Sequence, residues 1–479
     1  MSGFIEGVGR DQVTLFPEQL EDWIGEDHPV RVVDVFVDAL DLAEIGFDRA
    51  APAPTGRPGY HPSVLLKLFI YGYLNRIASS RRLEREASRN IEVMWLTGRL
   101  APDHKTIADF RRDNSAAIRK TCARFVELCR RMGVLNGASV AIDGSKFKAV
   151  NNRDRNFTAS KIKLRISHLE DSAARYLEEM ARTDRIEQSE IQLTKIERLK
   201  EKLARVHEEV KRLESVATKL KDTPDGQVSV TDPDARSMAT RGKGTGLVGY
   251  NVQTAVDTQT HMIVTHKVTN IGNDRAQLAP MAKAAKAALK VDQLEAIADR
   301  GYFSGDELLA CSKNGITPIV PKPDTSCNRK KGMFVKADFI YDAKADVYLC
   351  PAGKALTYRY SREERGEVQR RYWQNECQNC ALKAKCTTGK ERRIARWDHE
   401  HLVEEMYARM DGNPGLMRTR RCTVEHPFGT IKAWMGSTHF LTRGFPNVRA
   451  EMALNVLSYN IKRMINMIGV PALMAGMAA

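Results

Sequence analysis

Three acidic residues lie in separate parts of the chain, each in a setting that suits phosphodiester chemistry. Asp143 and Asp299 each follow a short apolar run, and glycine comes within two residues after each of them. This pattern predicts a buried strand that ends by presenting an acid at the rim of a sheet. Together with Glu425 on a predicted helix, the two acids can hold a pair of Mg²⁺ or Mn²⁺ ions roughly 3.5–4 Å apart for phosphoryl transfer. We therefore expect a metal-dependent phosphoryl-transfer enzyme.

The composition points to a polyanionic partner. The chain has 479 residues, and its 75 Lys and Arg exceed its 60 Asp and Glu, which gives a formal charge of +15. Such an excess favours a polyanionic partner, of which double-stranded DNA is one, although a protein that is merely basic would show the same charge. The hydrophobic content of 42% is enough for real cores, and the length suggests about three domains.

The sequence also bears on location. It contains no run of about 18 apolar residues and no basic segment followed by an apolar one at its start, so neither a membrane span nor a secretory signal is expected. Nine cysteines is an odd count, which favours a reduced compartment over a disulfide framework. We expect a cytoplasmic, nucleoid-associated protein of prokaryotic type.

Four of the cysteines lie close together in the sequence. Cys377 and Cys380 form a CxxC pair, with Cys386 six residues further on and Cys350 upstream. Four thiolates match a closed structural Zn²⁺ site, although only one tight pair is present. The alternative is four reduced cysteines in a basic loop, and Cys327 is a substitute ligand.

Hydrophobic periodicity divides the chain into several segments. Residues 1–135 have helical spacing and are predicted to form a DNA-binding domain, with arginines that indicate either a helix-turn-helix or a solvated helix face. Residues 158–222 carry a heptad-like seam typical of a helical hairpin or coiled coil. The sequence on both sides of that seam is strand-like, so we interpret it as an insertion within a catalytic domain at 136–470. Residues 322–400 form a second insertion, which carries the clustered cysteines.

The segments around the three acids resemble DDE transposases of bacterial insertion sequences. The residues that carry the resemblance are Asp143-Gly144, Asp299-Arg300-Gly301-Tyr302 and Arg421-x3-Glu425-x6-Lys432. In that superfamily a tyrosine normally precedes the arginine by three positions, and here the position is Arg418. The resemblance covers nearly the whole chain, including the helical N-terminal region.

The resemblance implies a fold and a reaction. The fold is α/β, a ribonuclease H-like mixed five-stranded sheet with flanking helices, preceded by an all-helical domain and interrupted by the two insertions. The reaction is cleavage at the terminal inverted repeats of the element, followed by direct attack of the freed 3′-hydroxyl on target DNA. Catalysis would rest on Asp143, Asp299 and Glu425 with two metal ions, and the assembly on DNA is expected to be a homodimer or larger.

Basic side chains near the acids are candidates for phosphate contacts. On a helix Arg421 and Glu425 lie four residues apart and share a face, and an arginine there suits bidentate phosphate binding. The candidates for DNA contact are Arg421, Lys432, Lys146, Arg300 and Arg418.

Two alternatives remain open from the sequence. One is a ribonuclease H-fold nuclease or resolvase that hydrolyses DNA without strand transfer. The other is a domesticated DNA-binding regulator that has kept the fold without the activity.

Overall fold

The computed structural model describes residues 19–51, 58–151, 153–185, 190–223, 225–239, 246–323, 328–364 and 366–478. Residue Cys327, the predicted substitute ligand, lies outside these ranges. So does part of the Pro- and Gly-rich stretch 51–62, whose composition predicts a linker.

The N-terminal region is helical, as predicted. Its first long helix begins with Pro29, whose ring suits the first helical position, and His28 accepts a hydrogen bond from the backbone N–H of Val30 as the N-cap. The helix at 62–74 is buried over most of its surface because it is apolar on every side. The helices are α1 (Pro29–Asp38), α2 (Leu42–Ile45), α3 (Pro62–Leu74), α4 (Ser80–Ala87), α5 (Ile91–Thr97), α6 (His104–Asp113) and α7 (Ser115–Arg131).

A mixed sheet forms the centre of the molecule, and its topology is ribonuclease H-like. Its strands are β1 (Ser139–Lys148), β4 (Arg236–Ala239), β5 (Gly246–Asp257), β6 (Ile263–Thr269), β7 (Leu294–Ala298) and β8 (Ile316–Ile319). The strand β5 pairs antiparallel with both β1 and β6, whereas β1, β7 and β8 run parallel. In the described part of the chain the sheet therefore has the five predicted strands and a short sixth strand, β4. This strand pairs with the first residues of β5, whereas β6 pairs with the residues that follow.

Helices cover the faces of this sheet. α10 (Leu278–Leu289) packs against β1, β5, β6 and β7, and α11 (Gly305–Ser312) packs against β8. The long helix α15 (Phe445–Ile468) packs against α3, α7 and β6, so it joins the N-terminal helices to the sheet. Its Asn460 side chain makes hydrogen bonds to both the N–H and the C=O of Ile263, at 3.0 and 2.9 Å.

The first insertion is a helical hairpin. Helices α8 (Ala159–Asp184) and α9 (Glu190–Lys221) pack against each other, and the short strands β2 (Asn156–Phe157) and β3 (Val228–Ser229) pair at its base. A small separate core fills the base, with Phe157, Ile162 and Leu213 buried. This arrangement confirms the predicted hairpin.

The second insertion is a five-stranded antiparallel sheet with its own aromatic core. Its core includes Phe339, Tyr348 and Tyr372, and the cysteine-bearing turn follows the fourth strand. The strands are β9 (Ile340–Asp342), β10 (Val347–Leu349), β11 (Ala355–Glu364), β12 (Glu367–Trp373) and β13 (Ile394–Trp397), with the short helix α12 (Lys383–Cys386) before the last.

After the second insertion the chain is helical again, with α13 (Glu400–Gly412) and α14 (Leu416–Gly429) before α15. A π-helical segment, Thr430–Trp434, follows α14 directly. From the sequence the C-terminal tail after residue 469 is expected to be loose, and this expectation was wrong. Residues Val470–Ala478 form helix α16, which packs against α1 and buries Val470, Leu473 and Met477.

In the described ranges, no helix is both long enough and apolar enough to cross a membrane.

The close pairing of β1 with β5 generates a testable prediction. A Cβ atom added at Gly249 would lie 2.0 Å from the carbonyl oxygen of Phe147, so Gly249→Ala must push the two strands apart. We expect this variant to lose about 1–3 kcal/mol of unfolding free energy in urea. Gly429→Ala is the matched control because nothing lies within 4 Å of its added Cβ. Within α14 this change should be neutral or stabilising by up to about 1 kcal/mol. Equal stabilities for the two variants would contradict the described packing.

Candidate active site

The register of β1 and β7 brings the first two predicted acids together. Ile142 is the partner of Ala298 in the parallel pair, so the next residues, Asp143 and Asp299, occupy adjacent positions. The strand β7 ends at Ala298 as expected, and Asp299 caps the following turn by accepting a hydrogen bond from Gly301 N–H at 2.7 Å. Asp143, in contrast, does not end its strand, because β1 continues to Lys148 through its pairing with β5.

The side chain of Asp143 is largely buried, with about a quarter of it exposed (26%). Its Oδ1 accepts a hydrogen bond from Gly144 N–H at 2.9 Å. Burial raises the pKa of Asp143 to about 6, and the nearby Arg420 guanidinium opposes this rise only in part. A carboxyl group with a pKa displaced in this way, on a sheet rim beside a second acid, is typical of a functional site.

One guanidinium bridges the two aspartates, and it belongs to Arg420 on α14. Its Nη2 atom lies 2.8 Å from Asp143 Oδ1 and 3.9 Å from Asp299 Oδ2. The side chain is only 12% exposed. Within the described part of the chain, its buried Nε and Nη2 atoms have no hydrogen-bond acceptor, so the contact with Asp143 is an ion pair without an aligned hydrogen bond. The sequence pattern predicted Arg421 for the site, and Arg420 was not among the predicted residues.

The predicted residues Arg421, Glu425 and Arg418 are exposed on α14. At about 100° per residue, Glu425 lies roughly 140° around the helix from Arg420. Arg421 and Glu425 therefore do share a face, as predicted, but Arg420 is the residue that faces the sheet. Arg300 is also exposed, directly after Asp299.

The predicted Lys432 lies close to Asp143. It sits in the π-helical segment, where its Nζ donates hydrogen bonds to Ser145 Oγ at 2.6 Å and to the carbonyl oxygen of Lys146 at 2.9 Å. The ammonium is 4.4 Å from the Phe147 ring centroid, and burial lowers the pKa of Lys432 while Asp143 opposes that effect. The Lys146 side chain itself bonds to the carbonyl oxygen of Ala239. Both lysines thus have partners within the protein.

A polar network that was not predicted from the sequence lies next to Gly144. Asp274 Oδ1 accepts hydrogen bonds from Gln253 Nε2 at 2.7 Å and Asn251 Nδ2 at 2.8 Å, and Tyr302 donates to Gln253 Oε1. A Cβ at Gly144 would lie 2.2 Å from Gln253 Nε2, so glycine lets the network approach the strand. The available signal was the polar alternation of Asn251 and Gln253 within an apolar strand.

Other acids near the sheet have structural partners. Asp232 accepts from Tyr250 OH at 2.9 Å and from Gly444 N–H at 3.1 Å, and Asp234 accepts from Phe445 N–H at the start of α15. Asp257 accepts from Thr260 N–H at 2.7 Å within the β5–β6 turn.

The donor set of the Asp143–Asp299 pair suits a hard divalent cation. Two carboxylates already surround one positive group, and Mg²⁺ prefers a few such oxygens with waters completing its shell. Glu425 is not gathered with them. Across the described ranges, no group of three or more His, Cys, Asp or Glu is arranged to hold a metal ion.

The four clustered cysteines converge on one small cavity in the second insertion. Cys350, Cys377, Cys380 and Cys386 all line this cavity, which has a volume of about 20 Å³. Burial raises the pKa of the Cys386 thiol, and the other three thiols add to the rise while Arg392 lowers it. Four thiolates suit Zn²⁺ chemically, but in the described part of the chain these four are not arranged to hold an ion.

Comparison with known proteins identifies transposase sequences in two parts of the chain. Residues 18–113 match the family described as Transposase domain (DUF772), and residues 349–465 match the family described as Transposase DDE domain. These matches confirm the resemblance to DDE transposases of the insertion-sequence type. The second match includes Arg420 and Glu425, whereas Asp143 and Asp299 lie outside both.

The other comparisons are weaker. None of the curated proteins matches the chain. A solved structure described as "Cryo-EM structure of piggyBac transposase synaptic complex with hairpin DNA (SNHP)" aligns over 94% of this chain and 79% of that chain, with 9% identity and a TM-score of 0.32.

The buried carboxyl group predicts a pH-dependent stability. The pKa of Asp143 is about 6 in the folded protein against an ordinary value of 3.8, so the folded state holds this proton more tightly than the unfolded state. This group's contribution to stability is therefore lost as pH rises from about 4 to about 6. In EDTA, Asp143→Asn should gain stability over wild type across that window, by on the order of 2 kcal/mol at pH 7. Urea unfolding of both proteins at several pH values would measure this difference in unfolding free energy. A difference that does not change with pH would contradict the burial of the Asp143 charge.

Proposed function

We propose that this protein is a metal-dependent DNA transposase that cleaves at the terminal inverted repeats of an insertion sequence and transfers the freed strand into target DNA. The observation that carries the proposal is the pair of adjacent carboxylates, Asp143 and Asp299, around one cation position on a ribonuclease H-like sheet. The two matches to transposase families, which precede and follow the strands of this sheet in the sequence, support the same activity.

Asp143 and Asp299 would hold Mg²⁺ or Mn²⁺, with Glu425 as the third carboxylate, and the proposal is for two ions per site. When bound, such ions lower the pKa of the attacking water or 3′-hydroxyl and stabilise the developing charge on phosphate. The protein orients its two aspartates through strand register and the Gly301 cap. The network of Asp274, Asn251 and Gln253 supports β1 behind the site.

The charge distribution suggests where DNA is held. Residues 1–135 contain 19 Lys and Arg and 19 Asp and Glu, so this helical region is neutral overall. Residues 322–400 contain 18 Lys and Arg against 11 Asp and Glu, an excess of +7 out of the total of +15. We propose that the N-terminal helices contribute local arginine contacts, while the second insertion supplies much of the long-range attraction for the DNA backbone.

Individual phosphate contacts follow from exposure. Arg300, Arg418 and Arg421 are exposed around the site and are proposed to bind phosphate directly. Lys432 and Lys146 are already engaged with β1 and the end of β4, so their proposed part in DNA binding is smaller than the sequence indicated.

The domain division at 1–135 and 136–470, with insertions at 158–222 and 322–400, remains part of the proposal. We also propose that the protein acts on the prokaryotic nucleoid in the cytoplasm and that it assembles on DNA as a homodimer or a larger oligomer. A nuclease without strand transfer and a non-catalytic regulator are the competing functions. A largely buried carboxylate at Asp143 beside a second acid costs stability that a regulator has no need to retain, which favours an enzyme.

The direct test uses purified protein, Mg²⁺ or Mn²⁺, DNA bearing the element ends and a target plasmid. Wild type should join the ends to the plasmid. Asp143→Asn, Asp299→Asn and Glu425→Gln should each reduce cleavage and joining by at least about a hundredfold, because each removes a metal-binding carboxylate. DNA binding should be retained in all three variants.

Glu405→Gln is a matched control, since Glu405 is another exposed glutamate on a neighbouring helix. Cleavage without joining by wild type would support the nuclease, and tight binding with neither reaction would support the regulator. If Glu425→Gln behaves like Glu405→Gln, the third catalytic carboxylate is a different residue.

A second test concerns Zn²⁺, which we propose as a structural ion held by Cys350, Cys377, Cys380 and Cys386. The purified protein should contain about one zinc per chain, and Cys377→Ser should lose it and unfold at lower temperature. Cys422→Ser, at an exposed cysteine outside the cluster, is the control and should keep the metal. Full stability in wild type after complete zinc removal would argue for four reduced thiols without metal.

A further inference from the structure

Two neighbouring arginines on α14 have different environments. Arg421 is exposed, whereas Arg420 is almost buried and reaches across to both aspartates of the site. The carboxylates of Asp143 and Asp299 lie at adjacent positions of parallel strands, so their mutual repulsion is unavoidable in the fold. A positive group between them reduces that repulsion, and Arg420 provides it.

The contact that Arg420 makes is incomplete as a structural ion pair. Well-fitted arginine–carboxylate pairs use two aligned N–H donors, which makes them strong and specific. Here a single nitrogen, Nη2, approaches both carboxylates, and the buried Nε and Nη2 have no aligned acceptor among the described residues. A buried N–H without an acceptor costs free energy. The guanidinium is thus well placed to reduce the repulsion between the two carboxylates but poorly placed to donate hydrogen bonds to them.

We propose that Arg420 is a positioning residue that occupies the cation position between Asp143 and Asp299 in the DNA-free protein, and that it moves to a DNA phosphate when a divalent ion binds there. This inference rests on the proposed function. A divalent ion at the position repels the guanidinium, and the unpaired N–H groups then find acceptors in phosphate oxygens, which match the planar fork of arginine. Metal binding and DNA binding are coupled through this one side chain.

The coupling has a definite sign in each direction. Because Arg420 competes with the ion for the same carboxylates, its removal should strengthen metal binding in the absence of DNA. Because the released side chain binds phosphate, its removal should also abolish the gain in DNA affinity that the ion produces. A residue with a purely structural role would weaken both.

The first measurement is Mn²⁺ affinity of the DNA-free full-length protein by isothermal titration calorimetry. Arg420→Gln should bind Mn²⁺ about tenfold more tightly than wild type, since one positive charge no longer opposes the ion. Arg420→Lys should stay close to wild type because it keeps that charge. Arg409→Gln, at an exposed arginine on α13 outside the site, is the control and should bind Mn²⁺ as wild type does. The rise in melting temperature on adding Mn²⁺ gives an independent readout, and it should be larger for Arg420→Gln.

The second measurement is affinity for a random-sequence DNA duplex, which offers phosphates without an element end. Mn²⁺ should raise the affinity of wild type and of Arg409→Gln, but not that of Arg420→Gln. Mn²⁺ affinity in Arg420→Gln that is equal to or weaker than in wild type would overturn the inference, as would an undiminished effect of Mn²⁺ on DNA binding.

Asp143→Asn separates this inference from the proposed function. If Asp143→Asn removes Mn²⁺ binding while Arg420→Gln leaves it unchanged, only the competition by Arg420 is wrong. If Asp143→Asn leaves Mn²⁺ binding intact, the aspartate pair is not the ion site, and both proposals fail.

Discussion

The parallel register of β1 and β7 is the constraint on which the site depends. It sets two carboxylates side by side at the point where β7 ends, and the antiparallel partner β5 prevents β1 from relaxing away. Like charges this close are unfavourable in a partly buried setting, and one of them has its pKa raised to about 6 by burial. The fold therefore creates a site at which a positive charge is stabilising. Within the protein this positive charge is the guanidinium of Arg420 on helix α14.

Other parts of the structure act to hold this arrangement in place. Glycine at Gly144 allows the polar side chains of β5 to approach β1 from behind, and Gly249 allows the two strands to pair closely. Helix α15 ties β6 to the N-terminal helices through buried contacts and through Asn460. The two insertions carry small cores of their own, and Trp397 at the end of the second insertion also packs into the main core.

Much of this could be predicted from sequence because it depends on local patterns. Apolar runs located β1 and β7, and the heptad seam located the helical hairpin. Alternating apolar and polar residues on both sides of the turn-forming stretch 257–260 located β5 and β6. Strand continuation past Asp143 could not be predicted, because it depends on pairing with β5 more than 100 residues away. Spacing also favoured Arg421, since it lies four residues before Glu425. Which arginine faces the sheet depends on the rotation of α14 against β1, and that rotation is set by tertiary packing around Val424 and Phe428.

For Glu425, the role that the sequence resemblance implies and the position that the structure gives do not agree. Its segment matches the Transposase DDE domain, yet its side chain is exposed and about 140° from Arg420 around the helix. The most direct test of the account is a crystal structure of the full chain with Mn²⁺ and an end-bearing duplex, with the ion located by anomalous scattering. The account predicts an ion roughly 2–2.5 Å from carboxylate oxygens of both Asp143 and Asp299, with Arg420 turned to a phosphate. An ion bound elsewhere, with Arg420 still between the two aspartates, would contradict it.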